Sequence, residues 1–359
     1  MISADPLFVA PAVEELLGRS LRPIPIEAAC QELTGARVAV TGAGGSVGRD
    51  VIARLASLPV ERVVAIDQHE ASLFRLGRDL DGAVPLELRI ADVRNQAKLE
   101  RIFDETQPSV VFHFAAYKHV PFAEFGPEEF VDVNVLGTES VIAAARAAGV
   151  RHLLYPSSDK AVDPPSVYGA TKRIAETMLI AAADQVPALA THVVRYVNVL
   201  GSSGSFSETC AQRARAGESV TLTGEQMERY WMAMDEAVSL LWHSLALSSG
   251  SCTVLDTGDP IPVKTMAERI YRWAAPSGIL PEFVLADPRP GERLAEELAS
   301  ANERLVPCGE DPVLRVEHGC AAQQRQMIGG TVDELRSLLA AGDGHRLQRQ
   351  LMAFARQLQ

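Results

Sequence analysis

Cysteine, long apolar runs and positive charge in excess are what this 359-residue chain has little of. Its five cysteines, Cys30, Cys210, Cys252, Cys308 and Cys320, are scattered, without the CxxC or histidine spacing of a metal site. They read as free thiols of a protein in a reducing cytoplasm, and no metal site is expected. No apolar run approaches the roughly 18 residues needed to cross a bilayer. The N-terminus lacks a basic segment ahead of an apolar one, so neither membrane insertion nor a cleaved leader is expected. A formal net charge of -12 argues against nucleic-acid partners. It also leaves any bound phosphate to be held by local groups rather than by a global field. The remainder, 47% apolar and 22% charged, is the composition of a soluble globular protein with a sizeable core.

What is present is an alternation of short β-branched runs with longer helical patterns, the signature of a parallel sheet covered on both faces. Strands are expected at Arg37–Thr41, Arg62–Asp67, Leu86–Ile90, Val110–Phe114, His152–Pro156 and His192–Val197. Helices are expected between them at Ser46–Leu58, Glu70–Leu80, Gln96–Thr106, Glu128–Ala148 and Val167–Ala183. The expected fold is therefore α/β, a Rossmann-type doubly wound parallel sheet with a small α/β C-terminal substrate lobe. Residues 1–33 read as a helical extension, 34–197 as the nucleotide-binding domain with its catalytic residues, and 198–359 as mainly the C-terminal lobe. In that lobe, helices are expected around Asp235–Leu247 and Val263–Ala274, with a strand around Thr253–Thr257.

The loop Thr41-Gly42-Ala43-Gly44-Gly45-Ser46-Val47-Gly48 lies between the first strand and the first helix. Glycines there allow a tight turn and let a pyrophosphate approach a helix N-terminus. Asp67 ends the second strand nineteen residues after Gly48, where a carboxylate would bind a ribose diol; it also fits an ordinary strand-end turn. An acidic residue at this point favours NAD over NADP, although Gln68, His69 or Arg94 could still accommodate a 2′-phosphate. Asp92-Val93 follows the third strand, near the expected adenine, and Ala115-Ala116 follows the fourth, where small residues admit the cofactor.

A second constellation, Ser157-Ser158-Asp159-Lys160 and then Tyr168-Gly169-Ala170-Thr171-Lys172, places two acid/base systems within sixteen residues. Tyr168 and Lys172 are four apart on a helix and so share a face. An ammonium beside the phenol favours the phenolate, making Tyr168 a general base for a hydroxyl proton. Asp159 and Lys160 supply a second donor and acceptor, or else form a simple loop ion pair.

Taken with Asn134–Thr138, Asn198–Ser202, Arg229-Tyr230 and Arg289-Pro290-Gly291-Glu292, these motifs run in fixed order from about residue 35 to about 298. In this the sequence resembles the extended short-chain dehydrogenases/reductases. Within them it resembles the polysaccharide-biosynthesis group of nucleotide-sugar 4,6-dehydratases acting on UDP-N-acetylglucosamine. The resemblance implies that Tyr168 and Lys172 serve oxidation at C4, with Lys172 also holding the nicotinamide ribose and Ser158 bonding the C4 oxygen. It implies Lys160 as base at C5 and Asp159 as acid toward the C6 hydroxyl, which requires a neutral Lys160 and a protonated Asp159. It further implies a substrate grip from Lys118, His119, Asn198, Arg229, Arg289 and Glu292 around a UDP-sugar. A homodimer or larger homo-oligomer is expected because the long apolar helical stretches Glu128–Ala148 and Val167–Ala183 could build a two-fold helix bundle, although core burial explains the same pattern.

Several positions depart from the group's pattern. Tyr168 stands where many relatives have Met, Glu208 where Pro is usual, Val197 where Gly is common, and Phe114 replaces a small residue. The stretch Val13–Arg19 looks like the linker of the long membrane-bound members, whereas Tyr168 matches the soluble, C5-inverting ones. Retention or inversion at C5 stays open on these residues. A nucleotide-sugar 4-epimerase and a non-catalytic nucleotide sensor remain as alternatives.

Overall fold

The computed structural model describes residues 5–224, 226–275, 283–309, 312–318 and 321–358. Cys320 falls outside them; among the described residues Cys30, Cys210 and Cys252 are free thiols. The core is a nine-stranded sheet. Its first six strands in chain order are β1 (Arg37–Thr41), β2 (Arg62–Asp67), β3 (Leu86–Ile90), β4 (Val110–His113), β5 (His152–Ser158) and β6 (Ala190–Tyr196). Their spatial order is β6-β5-β4-β1-β2-β3, all parallel. The order reverses beside β1, which opens a crevice at the carboxyl ends of β1 and β4.

Side-chain alternation along each strand builds one apolar layer on each face. Val38, Val40, Val63 and Ala65 point to one side, against the helices Ser46–Leu55, Glu70–Asp79 and Met234–His243. Ala39, Val64 and Ile66 point to the other, against Gln96–Thr106, Gly137–Ala147 and Val167–Gln185. The doubly wound expectation holds, with boundaries shifted by a few residues.

Two differences from the sequence reading have clear causes. The stretch Glu128–Ala148 is not one regular helix: it runs through Pro127–Val131, a π turn at Asp132–Leu136, and Gly137–Ala147. The extra residue of the π turn carries Asn134 inward. There its side chain accepts from Tyr117 N–H (2.8 Å) and donates to Tyr117 carbonyl (2.9 Å) and Thr171 Oγ1 (3.1 Å). A buried amide with these partners outweighs the regular ladder. Second, the chain beyond residue 198 does not stay in its own lobe. Strand Ser251–Leu255 pairs parallel with β6, and Val313–His318 and Glu303–Pro307 extend the same sheet antiparallel.

The rest of the C-terminal half forms the smaller unit. Helices Phe206–Ala216 and Val263–Ala274 enclose Leu200, Met227, Trp231, Met266 and Ile270. The N-terminal extension packs on this unit: Val13, Leu16 and Leu17 join the same cluster, and Arg19 clamps the buried Glu236 in a bidentate pair (2.6 and 3.0 Å). No helix among the described residues is long and apolar enough to cross a membrane.

Candidate active site

A cleft of about 790 Å³ runs across the carboxyl ends of β1, β4, β5 and β6 to the smaller unit, within the range of ligand sites. One wall is the 41–48 loop. Gly42 adopts φ of 67°, and a Cβ there would lie 2.6 Å from Ala115 N, so the loop and the residues after β4 touch backbone to backbone. Helix Ser46–Leu55 begins at this point with Gly45 at its N-cap. The fold thus presents free N–H groups and a positive helix end to the crevice, as a pyrophosphate requires. Gly42, Gly45, Ser46, Val47, Gly48 and Ala116 line the cleft.

Asp67 is pinned at the strand end: its two oxygens accept from Gly44 N–H and His69 N–H, each at 2.9 Å. Arg94 is drawn away from this corner by Asp92 (2.6 Å), Asp132 (3.0 Å) and Glu129 (3.5 Å). A second loop closes over the helix start. Ser203 N–H donates to Ser46 Oγ at 2.7 Å, and the two hydroxyl oxygens lie 2.9 Å apart.

Tyr168 and Lys172 project from the first turns of Val167–Gln185, whose N-cap Ser166 Oγ accepts from Gly169 N–H (3.1 Å). Gly169 is fixed by contact: a Cβ there would run into the Lys160 carbonyl. The helix therefore seats directly against the turn bearing Ser158, Asp159 and Lys160, which begins where β5 ends at Ser158. Asp159 Oδ1 accepts from Ser158 Oγ (2.8 Å) and from Lys160 Nζ (3.1 Å). Ser158 and Lys160 face the cleft, whereas Asp159 sits behind them, 1% exposed, with Oδ2 lacking a partner among the described residues.

The electrostatics differ from the sequence expectation. Burial raises Tyr168 above the usual phenol value, with Lys160 and the Ser158 hydroxyl pulling it back down. The cation facing the phenol is therefore Lys160. Lys172 points elsewhere, donating to Pro156 carbonyl (2.6 Å) and lying 4.0 Å over the Tyr155 ring. Burial lowers Lys172 to about 7, against an opposing pull from Glu176. Burial also works against the charge on Lys160, but Asp159 and Glu296 outweigh it and hold the ammonium above its ordinary value. With these partners the two residues form an ion pair, not the neutral lysine and protonated acid that elimination needs.

The Lys172 shift has a stability consequence. An amine lowered on folding leaves the unfolded chain holding more protons between pH 7 and 10.5, so stability falls as pH drops through that window and levels off below it. Replacing it by methionine removes this dependence. Urea midpoints of the wild type should therefore fall relative to K172M from pH 10 to pH 7; parallel midpoints would contradict the assignment.

Of the expected substrate residues, Lys118, His119, Asn198, Arg229, Arg289 and Glu292 all line the same cleft. Burial lowers Lys118 while Glu208 opposes the shift, and burial followed by Lys118 lowers His119. Asn198 Nδ2 donates to Tyr230 carbonyl (3.0 Å). Arg229 departs from expectation: its donors go to the carbonyls of Glu228, Leu294 and Arg293, to Met227 Sδ, and toward Glu296 (3.7 Å). Four N–H groups are spent on these bonds, two of them on the Arg293 and Leu294 carbonyls of the 291–296 loop, whereas Arg289 lines the cleft beside them. Glu292 accepts from Arg289 N–H (3.0 Å), which fixes the turn carrying that arginine.

Two sets of residues were not anticipated. Glu296 and Arg293 tie this loop to the turn bearing Lys160, Glu296 at 3.5 Å from Lys160 Nζ and Arg293 through the Val162 and Asp163 carbonyls. Behind the site, Arg173, Glu176, Arg195 and Glu303 form a buried quartet with pairs of 2.6–3.1 Å, and Ser157 Oγ donates to Glu176 at 2.9 Å.

A doubly wound sheet with a glycine loop after β1, an acid at the end of β2 and a Tyr/Lys pair across the crevice defines an extended short-chain dehydrogenase/reductase. Within that class the chain belongs to the polysaccharide biosynthesis protein family, whose model matches residues 38–317. It is 34% identical to the capsular polysaccharide biosynthesis protein CapD of Staphylococcus aureus over 81% of this chain and 49% of that protein. The chain thus spans about half the length of that relative. It is 29% identical to the inverting UDP-N-acetylglucosamine 4,6-dehydratase of Campylobacter jejuni subsp. jejuni serotype O:23/36, over 58% of this chain and 62% of the other. A UDP-glucose 4-epimerase of Thermus thermophilus, solved in complex with NAD, superposes with a TM-score of 0.63 at 25% identity, covering 73% of this chain and 90% of the other.

Proposed function

We propose that this protein is an NAD-dependent nucleotide-sugar 4,6-dehydratase whose substrate is UDP-N-acetylglucosamine. The observation that carries the reading is that Lys160, paired with Asp159, shares one cleft with Tyr168 and Lys172. A 4-epimerase needs only the latter two. The glycine loop with its helix start, the pinned Asp67 and the diverted Arg94 fit a dinucleotide lacking a 2′-phosphate. The nicotinamide, when bound, supplies the acceptor for the C4 hydride and its later return to C6.

Tyr168 takes the C4 hydroxyl proton. Its phenol is raised by burial, so this step depends on the Lys160 charge and Ser158 hydroxyl that lower it. The resulting C4 ketone acidifies the C5 proton. Elimination needs the Lys160 proton moved to Asp159, 3.1 Å away, which gives a free amine and a carboxylic acid together; binding of the sugar must first weaken the hold of Asp159 and Glu296 on the ammonium. The amine takes the C5 proton. The acid reaches the C6 hydroxyl through Ser158, to which it is bonded at 2.8 Å and which faces the cleft, so oxygen leaves as water. Arg289 grips the diphosphate.

Incubation with UDP-N-acetylglucosamine and NAD is expected to give a UDP-4-keto-6-deoxy sugar with one water lost. Turnover to the C4 epimer without loss of water would reject dehydration. A related sugar nucleotide dehydrated in its place would reject only the substrate.

A further inference from the structure

Lys160 is contacted by more than its sequence neighbour. Glu296, 4% exposed, arrives from the loop that also carries Arg289 and Glu292, and its Oε1 lies 3.5 Å from Lys160 Nζ. That loop is docked on the catalytic turn at three separate points. Arg293 donates to the Val162 and Asp163 carbonyls just after the turn. Gly291 packs so closely that a Cβ would lie 2.8 Å from Ser166 Cβ, at the cap of the Tyr168 helix. Glu296 itself forms the third contact.

We propose that Glu296 is the positioning residue for Lys160: its carboxylate, held by Arg229, fixes the ammonium between the loop that grips the nucleotide and the turn that performs elimination. This deepens the dehydratase reading and rests on it for its functional meaning. The charged and titratable groups facing Lys160 are Asp159 and Glu296, which favour its proton, Arg229, which opposes it, and Tyr168. Asp159 lies next to Lys160 on the same turn. Glu296 is the only one of the two carboxylates that reports from the substrate side of the cleft. A purely structural reading makes Glu296 a counter-ion for Arg229 alone, at 3.7 Å. The two readings differ in what removing the carboxylate does to Lys160.

The test uses the free protein, without cofactor or sugar. Brief acetylation with acetic anhydride at pH 9, followed by peptide mass spectrometry, gives the labelling of Lys160 relative to the exposed Lys264. Loss of an opposite charge at this distance shifts an amine by about one pH unit or more, so E296Q is expected to raise that ratio about tenfold. E296D, which withdraws the carboxylate by one methylene, is expected to raise it less. E297Q, at the exposed neighbour, is expected to leave it unchanged. A wild-type ratio in both Glu296 variants overturns the proposal, as does an equal rise in E297Q. If E296Q loses its cooperative thermal transition, E296D alone decides: a rise supports the proposal and an unchanged ratio overturns it. Because nothing is turned over, this result is independent of the dehydratase reading, which fails separately if no sugar nucleotide loses water.

Discussion

K160M should leave the sugar oxidised and stranded. With the cleft-facing amine removed, proton abstraction at C5 has no base, while Tyr168 and the glycine loop stay in place. Positioned proton transfer is worth about 10²–10⁴-fold, so water loss should fall by at least that factor. Reduced nicotinamide should instead accumulate on the protein when sugar nucleotide is added, visible by its absorbance. In deuterated water, the wild type should exchange the C5 hydrogen into product, and K160M should not exchange it into recovered substrate. Full dehydratase turnover in K160M would remove Lys160 from the mechanism. Since Lys160 is also the charge that lowers Tyr168, the oxidation step should slow modestly and move to higher pH.

R195M should be the most destabilising single change considered. Arg195 is fully buried in β6 and bonds Glu176 at 2.6 Å and Glu303 at 2.7 Å, so its loss takes one of the two guanidinium groups that the quartet sets against both acids. Breaking a buried pair costs about 3–5 kcal/mol, because the surviving charge is stranded without water. The exposed pair Arg315–Glu317, at a similar 2.6 Å, provides the contrast: R315M should cost no more than about 1 kcal/mol. Denaturant midpoints measure both, and equal losses would refute the argument. Ser157 hangs from Glu176 immediately before Ser158, so R195M should also loosen the catalytic turn before the protein unfolds.

The sheet was legible because short β-branched runs and punctuating glycines are local signals, and β1, β2 and β3 fall at their expected residues. That the glycine loop, Tyr168 and Lys172 come to one cleft was legible for the same reason: each motif lies within a few residues of sequence. What escaped is non-local. Glu296 reaches Lys160 from 136 positions further along the chain, and nothing near residue 296 marks it as different from Glu297. The direction of Lys172 depends on where Pro156 and Tyr155 lie, which a helical wheel does not contain. Arg229 looked like a phosphate ligand by type, and only the carbonyls around it show that its donors are spent. The quartet did leave one trace. An arginine in the middle of the apolar run His192–Val197 has no reason to be there unless a buried acid meets it.

The contact between Ser46 and Ser203 ties two stretches of chain 157 positions apart across one rim of the cleft. Loosening of residues 201–205 therefore also changes the surroundings of the first turn of Ser46–Leu55. Under the proposed function the hydride is handed back at the end of each cycle and no cofactor is consumed, so a rim tied at this point suits a dinucleotide that stays in place over many turnovers.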